Sequence, residues 1–199
     1  TSGEGGMIIC KNKKDYDILR MLRSHGWSRG IDKKKTNNFN FINSGFNLRP
    51  TDIVASIGLS QLKKIKKLIK WRSDNRKKII QSIIQSNLWK NQFHFIDPVK
   101  NIKPSWFGLP IILNPEFKNK KKEYLEFLNK NGVETRPIIS GNFLNQPAIK
   151  LYNLNKQAKF CKNSQTIEDL GFFIGLHIKP IEKENLKKLT KLLLNISNL

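Results

Sequence analysis

The chain has 199 residues and a formal net charge of +22, carried mostly by Lys, with only two cysteines, Cys10 and Cys161. That length suffices for a proper buried core in one domain or two small ones. Two cysteines are too few for a disulfide framework or a four-thiolate metal site, and no apolar stretch approaches the ~20 residues that span a bilayer.

Basic charge of this size raises nucleic acid or an anionic membrane as partners. The lysines, however, are dispersed and accompanied by many Asn and Ile, the mark of a base-composition bias in a gene. A phosphate-binding patch would use more Arg, whose planar fork suits phosphate oxygens. Lys63 to Lys70 alternates with Ile65, Leu68 and Ile69, as the wet face of a helix does. The expectation is a solvated surface, no nucleic-acid partner and no membrane. A non-catalytic basic binding protein stays as the remote alternative.

In chain order, Thr1-Ser2-Gly3-Glu4-Gly5-Gly6 leads into Met7-Ile8-Ile9-Cys10, an apolar run that reads as a buried strand. Asp15 to Ser24 predicts a helix with Ile18, Leu19 and Leu22 inward, ending in His25-Gly26-Trp27-Ser28-Arg29-Gly30. A His in a last helical turn before a Gly is accounted for by the helix dipole alone. An active-site His is the other reading, and the residues themselves leave both open. Ile31 to Asn43 is a polar loop holding Phe39 and Phe41 at spacing two, suited to flank a sugar or a flat ring, or merely to pack an edge strand.

Ser44-Gly45-Phe46-Asn47-Leu48-Arg49-Pro50-Thr51-Asp52 is the densest signal in the chain. Gly45 permits an open backbone, Pro50 suits a helix start, and Thr51 or Asp52 can cap it. The helix that follows, Ile53 to Leu62, is lined with small residues that admit a close neighbour. A turn with a purely structural purpose would not need both Asn47 and Arg49.

Ile65 to Gln85 predicts a long amphipathic helix, with a domain boundary at its start: residues 1–64, then 65–199. Trp106 to Leu113 reads as a strand in which Pro110 argues for an edge position. A helix from Lys121 to Asn131 leads into a second strand, Val133 to Ile139, and the order of strand, helix and strand implies an α/β layer. Arg136 within that strand needs a partner, which a surface ion pair or a ligand would supply. Ser140-Gly141-Asn142-Phe143 follows a strand, where α/β sites tend to sit. Gly171 to His177 is a third apolar run, and Glu182 to Ser197 a closing amphipathic helix.

Taken together, Thr-Ser-Gly-Glu-Gly-Gly, His25-Gly26-Trp27-x-Arg29, Gly45-Phe46-Asn47-x-Arg49, Glu134-Thr135-Arg136-Pro137-Ile138-Ile139-Ser140-Gly141-Asn142-Phe143 and Gly171 to His177 resemble the DegT-like nucleotide-sugar aminotransferase family. The likeness is greatest to its 3-dehydratase branch, of the GDP-4-keto-6-deoxymannose 3-dehydratase type. One departure is Leu176, where the branch usually has Asn before the His. The resemblance implies an α/β chain forming the C-terminal part of a fold-type-I pyridoxal-phosphate enzyme: the end of the large cofactor-binding domain, then a small domain. It implies pyridoxal or pyridoxamine phosphate as cofactor and a nucleotide-linked 4-keto-6-deoxy sugar as substrate. The product would be a 3,6-dideoxy-4-keto sugar for surface polysaccharide. A sugar aminotransferase of the same family is the alternative.

The same resemblance gives the site residues their roles. Asn47 would bond the cofactor phosphate of a neighbouring subunit, so that active sites in a homodimer are composite. His25 would be a supporting acid–base group, and Arg29, Phe39, Glu134 and Arg136 would lie near substrate. Relatives with an iron–sulfur cluster carry cysteines in the region of residues 31–43; this chain has none there, so no cluster is expected. A residue about three positions before Thr1 would hold the cofactor, Lys in most members and His in the dehydratases. The chain thus reads as a piece of a longer, cytoplasmic protein.

Overall fold

In the computed structural model, residues 2–31, 39–152 and 161–199 are described. Thr1 of the first glycine motif and residues 32–38 of the polar loop lie outside them. The chain divides into two compact units, Thr1–Ile65 and Lys66–Leu199.

The first unit is built on helix α1 (Lys13–Arg23), which starts where the Asn12 side chain accepts the Asp15 amide at 2.9 Å. Helix α2 (Asp52–Leu62) starts at Thr51, whose hydroxyl accepts from the Val54 amide, so Pro50 lies one residue before the cap rather than inside the helix. One sequence expectation fails here. Met7, Ile8 and Ile9 form no strand and are exposed, because no described residue offers them a ladder. None of α2 is buried, and among the described residues a side chain on Gly58 would meet only Ser2.

The second unit opens with helix α3 (Ile65–Ile84) and contains a four-stranded antiparallel sheet. Its strands are β1 (Phe93–Phe95), β2 (Gly108–Leu113), β3 (Thr135–Arg136) and β4 (Gly171–Gly175), in the spatial order β1-β2-β4-β3. Alternation decides the faces: Leu109, Ile111, Leu113, Phe172 and Ile174 are buried on one side. They pack with Ile79 and Ile83 of α3, Tyr124 and Leu128 of α4 (Lys121–Lys130), and Leu193 and Leu194 of α6 (Lys183–Leu194). Each fully buried aliphatic chain there contributes roughly 1.5–3 kcal/mol. Tyr124 is wholly buried yet satisfied, its hydroxyl donating to the Leu193 carbonyl at 2.7 Å; burial pushes the phenol well above its ordinary range. Helix α5 (Lys162–Leu170) runs directly into β4.

The strand readings need two corrections. Val133–Ile139 supplies only the two residues of β3, because Pro137 has no amide with which to continue the ladder. Pro110 lies in an inner strand, between β1 and β4, not at an edge. It is tolerated because β1 pairs with residues 111–113 only. One step further in that register lies Ile96, whose carbonyl accepts from Arg76 Nη2 at 2.6 Å. Arg76, nearly buried with its guanidinium 4.1 Å over the Trp106 ring, supplies the donor that proline lacks.

Asn75 ties α3 to the segment after β4. Its amide donates to the carbonyls of His177 (3.0 Å) and Lys179 (2.7 Å), and its carbonyl accepts the Ile181 amide at 2.9 Å.

Candidate functional site

In the first unit the end of α1 and the turn 44–49 are woven together. A helix leaves its last carbonyls without partners. Here Leu22 O accepts the Phe46 amide at 2.7 Å and Arg23 O accepts the Leu48 amide at 3.0 Å. Phe46 O in return accepts the His25 amide at 2.9 Å, and Met21 O accepts the Gly26 amide at 2.8 Å. A bridge between Ser24 and Asn47 completes the join. The approach is so close that neither Gly26 (φ +82°) nor Gly45 has room for a side chain.

The predicted site residues of this unit fall around that join. Asn47 is exposed, and its Oδ1 accepts from Arg49 Nε at 3.3 Å. Its Nδ2 has no acceptor among the described residues, so a donor remains for a ligand. His25 adopts a left-handed backbone (φ 61°) just past the helix, a conformation His tolerates better than most residues, and its ring is exposed. Trp27 is flanked by Phe39 (5.0 Å, stacked) and Phe41 (6.1 Å), with the Arg29 guanidinium 5.0 Å over its ring. Phe39 therefore packs on an aromatic neighbour while staying largely exposed.

Beside the join is a cavity of about 300 Å³ lined by Arg20, Arg23, Ser24, Trp27, Arg29, Gly30 and Arg49. Only Arg29 of these was marked by sequence reasoning as a site residue; His25 is not in the lining. Arg20 and Arg23 were legible in principle, as two arginines three apart on one helix face. None of the four arginines pairs with a carboxylate among the described residues.

The second unit has its own concavity, about 220 Å³, lined by Arg72, Phe107, Glu134, Arg136, Phe173, Gly175 and Leu176. Sheet register builds it. Arg136 of β3 and Pro110 of β2 both pair with Phe173 of β4, placing all three on the face opposite the core. Phe107 packs against Phe173 with ring centres 5.9 Å apart, and Gly108 makes way: a side chain there would come within 2.5 Å of the Phe173 ring. Arg136 Nε and Nη2 both donate to Glu134 Oε1, at 2.9 and 2.7 Å. Both residues are exposed, so the pair adds little stability and is free to exchange its partners. Arg72, over Phe107 at 5.9 Å, has a buried Nε with no partner among the described residues.

The Gly141-Asn142-Phe143 loop is pinned from α5. Glu168 Oε2 accepts the Asn142 amide at 2.8 Å and Asn145 Nδ2 at 2.9 Å, and Glu168 packs against Gly141. Lys118, bonded to Asp169 at 2.7 Å, and the Gln165 amide hold that carboxyl below its usual range. Among the described residues no group of three His, Cys, Asp or Glu is placed to hold a metal, and no helix is long and apolar enough to cross a membrane.

The chain is similar to several known proteins. A GDP-4-keto-6-deoxy-D-mannose 3-dehydratase of Escherichia coli O55:H7 is 29% identical over 185 residues, 87% of this chain and 46% of the relative. A UDP-4-amino-4,6-dideoxy-N-acetyl-beta-L-altrosamine transaminase of Campylobacter jejuni is 31% identical over 195 residues, 92% of this chain and 50% of the relative. Among solved structures, E. coli GDP-4-keto-6-deoxy-D-mannose-3-dehydratase with bound hydrated PLP matches at 25% identity, with a TM-score of 0.70, covering 92% of this chain and 48% of that one. The chain thus spans about half the length of the relatives it matches. Its fold is that of the fold-type-I pyridoxal-phosphate enzymes. Residues 1–192 match the model of the DegT/DnrJ/EryC1/StrS aminotransferase family, and the chain belongs to that family.

Proposed function

We propose that this chain contributes part of the active site of a nucleotide-linked 4-keto-6-deoxyhexose 3-dehydratase, working with pyridoxal or pyridoxamine phosphate as a homodimer. In this reading residues 1–64 belong to the large cofactor-binding domain and 65–199 form the small one. The observation that carries it is the turn bonded to the end of α1, which presents an Asn47 amide with a donor to spare. The likeness to GDP-sugar 3-dehydratases supports the choice of branch.

The donor set fits a phosphorylated cofactor: Asn47 Nδ2 would bond its phosphate, with Arg49 holding the amide orientation through Oδ1. When bound, the cofactor supplies an amine for the C4 ketone and an electron sink that lets the C3 hydroxyl leave. The chain's own residues then bind and orient. Phe39, largely exposed, would offer its outer face to a ring, with Trp27 stacked behind it. Glu134 and Arg136 exchange their mutual pair for sugar or nucleotide groups, and Arg29 adds charge for phosphate oxygens. His25 would hold or pass a proton at its exposed imidazole.

The reaction is tested by incubating the full enzyme with pyridoxamine phosphate, glutamate and a GDP-linked 4-keto-6-deoxyhexose, then analysing products by mass spectrometry with an ammonia assay. A 3-deoxygenated keto sugar with release of ammonia is expected. A 4-amino sugar would move the enzyme to the aminotransferases of the family, and absence of both would reject both.

Asn47→Ala should remove one charge-assisted hydrogen bond, worth roughly 1.5–3 kcal/mol, and weaken cofactor binding about 10- to 150-fold. Titrating pyridoxamine phosphate by absorbance into wild-type and variant dimers, with assembly checked by sedimentation, measures it. Equal affinity in an intact variant dimer would leave Asn47 a turn residue and nothing more.

A further inference from the structure

We infer that Asn129 of α4 and Glu168 of α5 are positioning residues, which hold the two-residue strand β3 so that Glu134 and Arg136 stand together at the second concavity. That this pair meets a nucleotide-linked sugar rests on the function proposed above. β3 cannot hold itself. Only Thr135 and Arg136 pair with β4, opposite Ile174 and Phe173, and Pro137 ends the ladder. At one hydrogen bond per residue, so short a ladder gains no more than the entropy of ordering it removes.

Side chains from two helices close both of its ends. At the entry, Asn129 Oδ1 accepts the Thr135 amide at 3.0 Å, and Asn129 Nδ2 donates to the Thr135 hydroxyl at 2.8 Å. A further bond from Nδ2 to the Leu125 carbonyl, at 2.7 Å, fixes that side chain on α4. At the exit, Glu168 Oε2 accepts the Asn142 amide and Asn145 Nδ2. Gln165 Oε1 accepts the side-chain amides of the same two residues, each at 3.0 Å. Because α5 runs directly into β4, this clamp ties the loop leaving β3 to the start of the strand it pairs with.

The backbone between shows that the exit is held under strain. Ile139 adopts φ 52°, a left-handed conformation that a β-branched residue avoids. It is 86% exposed, so its own packing does not keep it there. Such strain persists only where the surroundings over-determine it. On one side is β3; on the other is Gly141 (φ 64°), packed on Glu168, with the nearly buried Asn142 beyond. Releasing either anchor lets Ile139 relax, and the path of the chain through Arg136 shifts with it. Glu134 and Arg136, two residues apart and bonded to each other, move as a unit.

The experiment compares the full enzyme with Asn129→Ala, Glu168→Ala and Glu168→Gln, with assembly checked by sedimentation and folding by thermal melting. Gln keeps the acceptor that matters, since Glu168 Oε1 has no partner among the described residues. Each Ala variant should speed amide exchange about tenfold or more at both Thr135 and Asn142, because β3 lets go as a whole, while amides of β2 keep their protection. With a GDP-linked 4-keto-6-deoxyhexose as substrate, KM should rise about tenfold in both Ala variants and kcat should stay within about threefold, as expected when binding alone is lost. Glu168→Gln should restore both exchange and KM. In an Arg136→Gln background, Glu168→Ala should raise KM no further, since the residue it positions is gone. Faster exchange confined to the one bond each variant removes would overturn the clamp. A full KM effect of Glu168→Ala in the Arg136→Gln background would overturn its action through Arg136. If one Ala variant fails to fold, the other carries the same comparison from the opposite end of β3. A wild-type enzyme that turns over no nucleotide sugar would reject the function proposed above, and exchange at Thr135 and Asn142 would still decide the clamp.

Discussion

Gly45→Ala should release the turn that presents Asn47 from the end of α1. A Cβ at this position would sit 2.7 Å from the His25 carbonyl carbon and 2.8 Å from Leu22 O, and closer still to the Gly26 nitrogen. All three atoms are backbone, so no side chain can swing aside; the chain itself must move. Moving it breaks the bonds from Phe46 to Leu22, from His25 to Phe46 and from Leu48 to Arg23. Three hydrogen bonds at about 1 kcal/mol each, with overpacking of about 1–3, put the local loss near 4–6 kcal/mol. Amide hydrogen exchange reads this directly. Protection of His25, Phe46 and Leu48 should fall by a factor of 100 or more. Amides of β2 and β4 should keep theirs. Unchanged exchange at Phe46 and Leu48 would mean that the turn is not held by α1.

The second large effect is expected at Asn75. It is almost wholly buried and satisfies two carbonyls and one amide of the segment after β4. Asn75→Leu fills the same space but strands all three groups, each costing about 1–3 kcal/mol when buried. The sum is about 3–9 kcal/mol, equivalent to a fall in Tm on the order of 10–30 °C for a unit of this size. Asn75→Asp separates the donor role from the acceptor role. The carboxylate can still accept from Ile181 but faces two carbonyl oxygens it cannot bond. It should therefore be destabilised about as much as the Leu variant. Near-native melting of Asn75→Asp would show that the donor bonds to His177 and Lys179 contribute little. The segment continues from Gly175 and Leu176, so the lining of the second concavity should loosen along with it.

How far the sequence could be read depended on whether a feature was local. Helices α1, α3, α4 and α6 were legible because apolar residues at three- and four-residue steps leave few alternatives. The turn at Asn47 was legible for a different reason: Gly, Asn, Arg and Pro within six residues have few other uses together. Pro110 misled, because a proline forbids only a donor on one side, and a short neighbouring strand removes the need for that donor. Met7 to Cys10 misled in the opposite sense, since an apolar run specifies a strand only where another strand can receive it. The arginine cavity was out of reach. Arg20 and Arg49 are far apart in sequence, and only the weave between α1 and residues 44–49 brings them to one hollow. Glu168 was hidden likewise; nothing in α5 announces that its carboxylate anchors Asn142.

The sheet of the second unit is bounded by very short strands, three residues in β1 and two in β3. An edge of that length offers an incoming strand only a few backbone groups, too few to repay the entropy of ordering it. Pro137 closes one rim, having no amide with which to extend β3. Lengthening either edge, for example by replacing Pro137 with a β-branched residue, would expose a template for fibril growth. The stunted strands therefore leave this sheet little open edge on which another strand could grow.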